Sequence, residues 1–243
     1  MDQLKAEIPP PKLISALRGY NILPAIVFLP TRRRCDEAAS QAALSLRTAK
    51  DDRREARRDF MRGFVEEHPE IRNHRHWDTI VRGGIASHHA GHMPAWKLVI
   101  EKMMSAGLLD AIFATATVAA GVDFPARSVV VTVADRRGNR GWESLTASEL
   151  QQMTGRAGRR GKDRVGFIIA APGPHQNPRK IAELLGARPN DLEKIATTTS
   201  SRCLEGSVLR GAYNPRSRAT LRAVRRSPAR AAPPRVGRPC ALA

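Results

Sequence analysis

The sequence predicts an α/β protein, a single doubly wound parallel sheet of about five strands with helices on both faces. Three observations carry that reading. Five short runs are mostly apolar, as strands buried on both faces tend to be, instead of strictly alternating like half-exposed ones. Segments of helical period separate them, which is the alternation that βαβ crossovers produce. The length of 243 residues suits one such domain with extra segments, or two small domains at most.

In chain order, the first strand is Ala25-Ile26-Val27-Phe28-Leu29, bounded by Pro24 and Pro30. Thr31 stands where an N-cap belongs, and Cys35, Ala38, Ala39, Ala42 and Leu46 repeat at helical spacing after it. Residues 50–70 are highly charged and read as an exposed helix. Ile85 to His88 is the second strand. Pro94 opens a helix whose Trp96, Val99, Ile100, Met103, Met104 and Gly107 share one face, a spacing that suits core packing far better than a ligand box. Asp110 to Thr115 and Ser128 to Val133 are the third and fourth strands. Ala147 to Met153 is helical, Val165 to Ala170 is the fifth strand, and Lys180 to Leu185 is a final short helix.

The charge is +18, from 41 Lys and Arg against 23 Asp and Glu. It is unevenly spread: residues 201–243 hold ten Arg, one Glu and no Lys, so the remaining 200 residues carry the other half of the excess. A surface this basic attracts polyanions, because each neutralised phosphate releases a condensed counterion. No apolar run is long enough for a membrane span, and the amino terminus, which soon meets Pro9-Pro10-Pro11, is not a signal peptide. Cys35, Cys203 and Cys240 form no disulfide framework and fit a reducing cytoplasm.

From Pro215 to Ala243, 20 of 29 residues are Arg, Ala or Pro, with no acid and no aromatic, so this tail is expected to be disordered. It reads either as an RNA-binding basic tail or as the product of out-of-frame translation of GC-rich DNA. The expected division is a lead-in over 1–20, one domain over 21–200, the start of a further region over 201–214, and the tail over 215–243.

Ligands of open α/β sheets meet loops at the carboxyl ends of strands, and two unusual segments are expected there. The first, Gln152 to Gly161, holds Gly155, Gly158 and Gly161 with Arg156, Arg159 and Arg160. Glycines let a backbone approach a ligand, and the guanidinium fork matches phosphate oxygens. The second, Thr115 to Arg127, is rich in small residues. Its Thr115 and Thr117 can donate to phosphates, and Asp123 can accept from a ribose hydroxyl.

The pattern Q-x-x-G-R-x-G-R fixes five of eight positions from Gln152 to Arg159. With the Thr115–Arg127 segment before it, this resembles motifs V and VI of superfamily-2 helicases. Gly84 to Pro94 (GIASHHAGHMP) and Leu23 to Arg32 (LPAIVFLPTR), the latter like motif IV, narrow the resemblance to superkiller-type DExH-box RNA helicases and their bacterial relatives. It runs from about Ile8 to Tyr213, and Cys203 to Ser207 with Ala212 to Asn214 resemble the family's entry into a winged-helix region, so 201–214 is expected to be the start of a truncated one. The resemblance implies the second RecA-like domain of a two-domain motor, with ATP and Mg2+ shared between this domain and a first one. By motif, Arg156 and Arg159 are arginine-finger positions. Gln152, Gly155, Gly121 and Asp123 fall near the nucleotide, and Thr115, Thr117, Arg32 and His89 fall on the nucleic-acid side. A finger that stabilises charge on the transferring phosphoryl group is worth about 10³–10⁵ in rate, or roughly 4–7 kcal/mol.

No G-x-x-x-x-G-K-[ST] loop and no D-E-x-H segment occurs, so the phosphate cradle and the Mg2+ carboxylates are expected on the first domain, and this chain alone is expected to have negligible ATPase activity. The chain starts where a second domain would, and the similarity stops at Pro215, as a frameshift or truncation would make it. The partners expected are RNA, or DNA, and that first domain. A different class of reading is a noncatalytic basic nucleic-acid-binding module or an inactive gene fragment. His88, His89 and His92, with His74 and His76 nearby, also suggest zinc. Adjacent histidines on a strand point to opposite faces and no Cys pairs flank them, so this chain alone is expected to bind no metal. His92 departs from the apolar residue usual in the family and is assigned nothing.

Overall fold

The structure is a computed structural model that describes residues 7–46, 52–116, 124–138, 141–173, 177–187 and 223–224. Thr117, Gly121, Asp123 and the 201–214 region lie outside the described residues, as does all but two residues of the 215–243 tail.

Five parallel strands form the sheet: β1 (Ala25–Phe28), β2 (Ile85–His88), β3 (Ala111–Ala114), β4 (Ser128–Val131) and, after a small hairpin, β7 (Gly166–Ala170). Their order is β2-β3-β1-β4-β7. The register aligns Phe28 and His88 with Ala114, and Ser128 with Ala25 and Phe167. Every expected strand is present. At the far edge, β8 (Ala223–Val224) pairs antiparallel with β7, so two residues of the expected disordered tail add a short strand.

Burial explains why the runs are continuously apolar. Ile26, Phe28, Ile112, Ala114, Val129 and Val131 belong to one core cluster, and Ala25, Val27, Ala111, Phe113 and Val130 to the other. Successive residues thus face opposite layers, and both layers are dry. On the first face lie α3 (Arg53–Glu67), α4 (Trp77–Gly83), α5 (Pro94–Ser105) and α6 (Ala147–Thr154), with Trp96, Ile100 and Met103 of α5 fully buried, so the Met and Trp stripe is core. The second face is covered by α1 (Pro10–Gly19) and α2 (Arg32–Leu46). The last helix is α7 (Pro178–Gly186).

Three differences from the sequence reading have physical causes. The charged helix is not simply exposed: α3 buries Arg57, Met61, Phe64 and Val65. The Arg57 guanidinium is tolerated inside because its Nε donates to the Val81 carbonyl at 3.0 Å. Helix α1, inside the expected lead-in, inserts Leu13, Ile14 and Leu17 into the second core cluster, which its charged and Pro-rich surroundings hid. Finally, β5 (Asp135–Gly138) and β6 (Gly141–Ser144) form an antiparallel hairpin between β4 and α6. Its polar sequence has no strand-like apolar run.

Two glycines decide how the last crossover returns. Gly158 has φ +90°, and a Cβ on Gly166 would lie 2.5–2.6 Å from the Ala157 carbonyl group and the Gly158 nitrogen. Backbone meets backbone there, so no side-chain adjustment can relieve a substituent. Gly166→Ala is expected to destabilise the chain by about 1–3 kcal/mol in urea unfolding. Gly63→Ala, on exposed α3 with nothing within 4 Å of the added Cβ, is expected instead to stabilise by about 0.5–1 kcal/mol.

Candidate functional site

At the carboxyl ends of three neighbouring strands, Arg32 follows β1, His89 follows β2 and Thr115 follows β3. Thr31 caps α2, its Oγ1 accepting from the Arg34 amide at 3.3 Å. That fixes where Arg32, which is exposed, leaves the sheet. Gly91 links two of these residues, since a Cβ on it would lie 3.3 Å from Arg32 Cδ and 3.1 Å from His89 Nδ1. Thr115 is buried at the strand end.

His89 does not face solvent. Its ring is 3% exposed; Nδ1 accepts from the Gly91 amide at 3.1 Å, and Nε2 lies 3.1 Å from Asp36 Oδ1. In this arrangement it positions the turn after β2, with both ring nitrogens held by protein partners. Its neighbour His88 points to the other face, as alternation requires, with Nε2 3.0 Å from Glu101. Burial pushes the His88 ring down to about 4.

The glycine–arginine segment lies elsewhere, contrary to the expectation of carboxyl ends. It follows α6 and precedes β7, so in a parallel sheet it must sit at the amino edge. There it is joined to the residues just before β4. The Ala126 amide donates to the Arg156 carbonyl at 3.0 Å, the Gly158 amide donates to the Ala126 carbonyl at 2.7 Å, and Ala126 and Ala157 form a parallel bridge. The signal was in the element order, a loop after a helix and before a strand. The 115–127 crossover starts at the carboxyl end of β3 and ends at the amino end of β4, so it spans both edges of the sheet, roughly 13 Å for four-residue strands.

Within the segment, Gln152 and Gly155 are exposed at the end of α6, and Arg156 and Arg159 are half-buried. Arg159 is held by an acid that the sequence reading did not single out. Its Nε donates to Asp163 Oδ2 at 2.8 Å, its Nη2 to Oδ1 at 3.0 Å, and its own amide also donates to Oδ2 at 3.0 Å. Arg127 Nε lies 3.9 Å from the same carboxylate. Four residues' separation, with both partners near one turn, is the signal that could have identified Asp163. The Arg159 guanidinium lowers the Asp163 carboxyl below the ordinary range and is itself raised by it.

Because its carboxyl is depressed in the folded state, Asp163 contributes stability that is complete above its unfolded value, about 4, and is lost as pH falls through the folded one. Asp163→Asn is expected to cost about 1–3 kcal/mol at pH 7, with the gap to the parent closing below about pH 4 in pH-dependent urea unfolding.

No protein-family model matches the chain. It is 34% identical over 183 residues to the probable helicase HelY of Mycobacterium tuberculosis, covering 73% of this chain and 20% of HelY. It is 35% identical over 171 residues to a chloroplastic DExH-box ATP-dependent RNA helicase of Arabidopsis thaliana, covering 70% of this chain and 14% of the relative. It is 37% identical over 166 residues to superkiller complex protein 2 of the mouse, covering 65% and 13%. The chain thus spans about a fifth or less of the length of these relatives. Among the described residues no helix is long and apolar enough to cross a membrane. The motifs quoted from the sequence and the parallel sheet that carries them agree with these likenesses: the chain belongs to the superkiller-type DExH helicases.

Proposed function

We propose that this chain is the second motor domain of an ATP-dependent RNA helicase. It holds the nucleic-acid backbone at the carboxyl edge of its sheet and presents Arg156 and Arg159, at the amino edge, to ATP shared with a first RecA-like domain on another stretch of polypeptide. The observation that carries this reading is the bridge between Ala126 and Ala157. It ties the arginine segment to the far end of the crossover that starts at Thr115, so a shift at one edge is transmitted to the other through backbone.

The residues present fit one half of a nucleotide site. They supply cations and glycine-exposed amides for phosphate oxygens, while the one acid beside the described arginine loop, Asp163, is engaged by Arg159. A carboxylate for Mg2+ and a lysine for the phosphates therefore belong to the other domain. When bound, ATP supplies a phosphoryl group whose oxygens gather charge as its bond to the leaving group loosens. A guanidinium placed at those oxygens stabilises that charge more than the ground state. For Arg159 this means exchanging Asp163 for phosphate, so Asp163 parks the side chain between cycles and keeps its charge compensated. Gln152, on the exposed turn at the end of α6, orders the same loop. On the nucleic-acid side, exposed Arg32 supplies a phosphate contact and Thr115 shapes the strand end, with His89 bracing the turn beside them.

Alone, the chain is expected to hydrolyse ATP negligibly. Mixed with the first RecA-like domain of a related helicase, it is expected to restore RNA-stimulated hydrolysis, and Arg156→Ala to lower the rate by about 10³ or more in a phosphate-release assay. Hydrolysis by the chain alone that Arg156→Ala abolishes would overturn the shared-site reading. Failure to restore hydrolysis, with salt-dependent RNA affinity intact, would favour a noncatalytic binding module.

RNA affinity is expected to fall with salt, to survive deletion of residues 215–243, and to lose about one phosphate's worth of salt slope in Arg32→Ala. Fluorescence anisotropy across a salt series measures all three. Affinity that disappears with the tail would make binding a property of its composition.

A further inference from the structure

We propose that Asp36, His89 and His92 form a binding site for a divalent transition-metal ion of the zinc class. Asp36 lies on the first turns of α2, and the two histidines lie on the turn between β2 and α5. One donor atom from each of the three lies within 4.8 Å of the others. Asp36 Oδ1 is 3.1 Å from His89 Nε2 and 3.5 Å from His92 Nε2. Zinc bonds of 2.0–2.1 Å in a tetrahedron require ligand atoms about 3.3–3.4 Å apart. The two carboxylate–imidazole separations therefore already stand near the edge length of that coordination polyhedron, and the two imidazoles are within 4.8 Å of each other.

The second observation is a crowded oxygen. Besides the two imidazoles, Asp36 Oδ1 has Ser87 Oγ at 2.6 Å and His76 Nε2 at 3.2 Å. Ser87 Oγ and His89 Nε2 bond to this oxygen, while His92 Nε2 is 3.0 Å from Ser87 Oγ and His76 Nε2 accepts from Arg75. Four polar groups thus gather round one carboxylate oxygen although only two bond to it, and a cation there would take a lone pair from each of His89 and His92. Burial agrees, with His89 and His92 respectively 3% and 7% exposed. Their rings are stacked at 3.8 Å, 17° from parallel, so one ring must turn about its Cβ–Cγ bond for both Nε2 lone pairs to meet on a single ion. Arg75 Nη2 donates to Asp36 Oδ2 at 2.6 Å and orients the carboxylate from behind.

The donor set decides the class of metal. Two imidazoles and one carboxylate suit zinc and its first-row neighbours, whereas calcium and magnesium take oxygen ligands. His76 Nε2 is engaged by Arg75 Nε at 3.0 Å, so it stays outside the ligand set and a water takes the fourth position. Loading requires a proton rearrangement in each ring. Ser87 Oγ donates to Asp36 Oδ1 and so accepts from His92 Nε2, whose proton moves to Nδ1 by exchange with water when the ion binds. His89 Nδ1 now accepts from the Gly91 amide, which puts the ring proton on Nε2. On binding, Nε2 gives up that proton, Nδ1 takes one, and the Gly91 amide turns to solvent, which its exposed turn allows. The ion would fasten α2 to the turn after β2, beside Arg32, as a brace for the carboxyl edge. This site stands whether or not the motor reading holds.

The test is calorimetric titration of Zn2+ into the full chain after chelator treatment. Saturable binding of one ion is expected, weakened at least 100-fold in His89→Ala/His92→Ala and at least tenfold in Asp36→Asn, but less than threefold in His76→Gln. Absence of binding by the folded chain, or affinity unchanged in the double variant, overturns the site. Should a variant fail to fold, Co2+ bound to the parent chain is expected to give the intense visible bands of tetrahedral coordination. Zn2+ is also expected to shift the imidazole nitrogen resonances of His89 and His92 while leaving His68 unmoved. Weak octahedral bands, or shifts at His68 and not at this pair, overturn it equally.

Discussion

The arrangement depends on one backbone contact, the parallel bridge that sets Ala126 against Ala157 at the amino edge of the sheet. Two hydrogen bonds make it, and they exist only because Gly158 adopts a left-handed conformation and Gly166 carries no side chain. The constraint is covalent geometry more than affinity. Any Cβ at 166 would occupy the space of the Ala157 carbonyl, and the loop carrying Arg156 and Arg159 would have to leave the sheet. Hydrophobic burial holds the layers together, but it does not aim the arginines. The bridge does, and it also fixes the end of the crossover that begins at Thr115.

Both edges use the same device, a half-buried acid that gathers nearby cations or imidazoles. At the amino edge Asp163 holds Arg159 through two side-chain bonds and one to its amide. At the carboxyl edge burial would raise the Asp36 carboxyl, but the polar groups around it, Ser87 with His76, His89 and His92, keep it far below the ordinary range. In each case the acid fixes where the side chain beside it points.

Much of the fold was legible in the sequence because its signal is local. A strand buried on both faces is mostly apolar along its length, polar residues such as Ser87 and His88 being paired, and all five such runs became strands. What escaped was either polar or compensated from afar. The β5–β6 hairpin has no apolar run to advertise it. The buried face of α3 was hidden by Arg57, whose partners are carbonyls more than twenty residues away. The site motifs were legible as spacing, and the family likeness agrees with them.

By itself the sequence determined the five strands of the parallel sheet, most of its helices and the family, since periodicity and motif spacing are properties of neighbouring positions. Only the tertiary structure decided which edge each motif occupies, that His89 turns inward, and that Asp36 and Asp163 are the acids held against His89 and Arg159. Those outcomes depend on distances between segments 53 residues apart, as for Asp36 and His89, or on the direction in which a helix returns the chain to the sheet. Neither leaves a periodic trace in the chain.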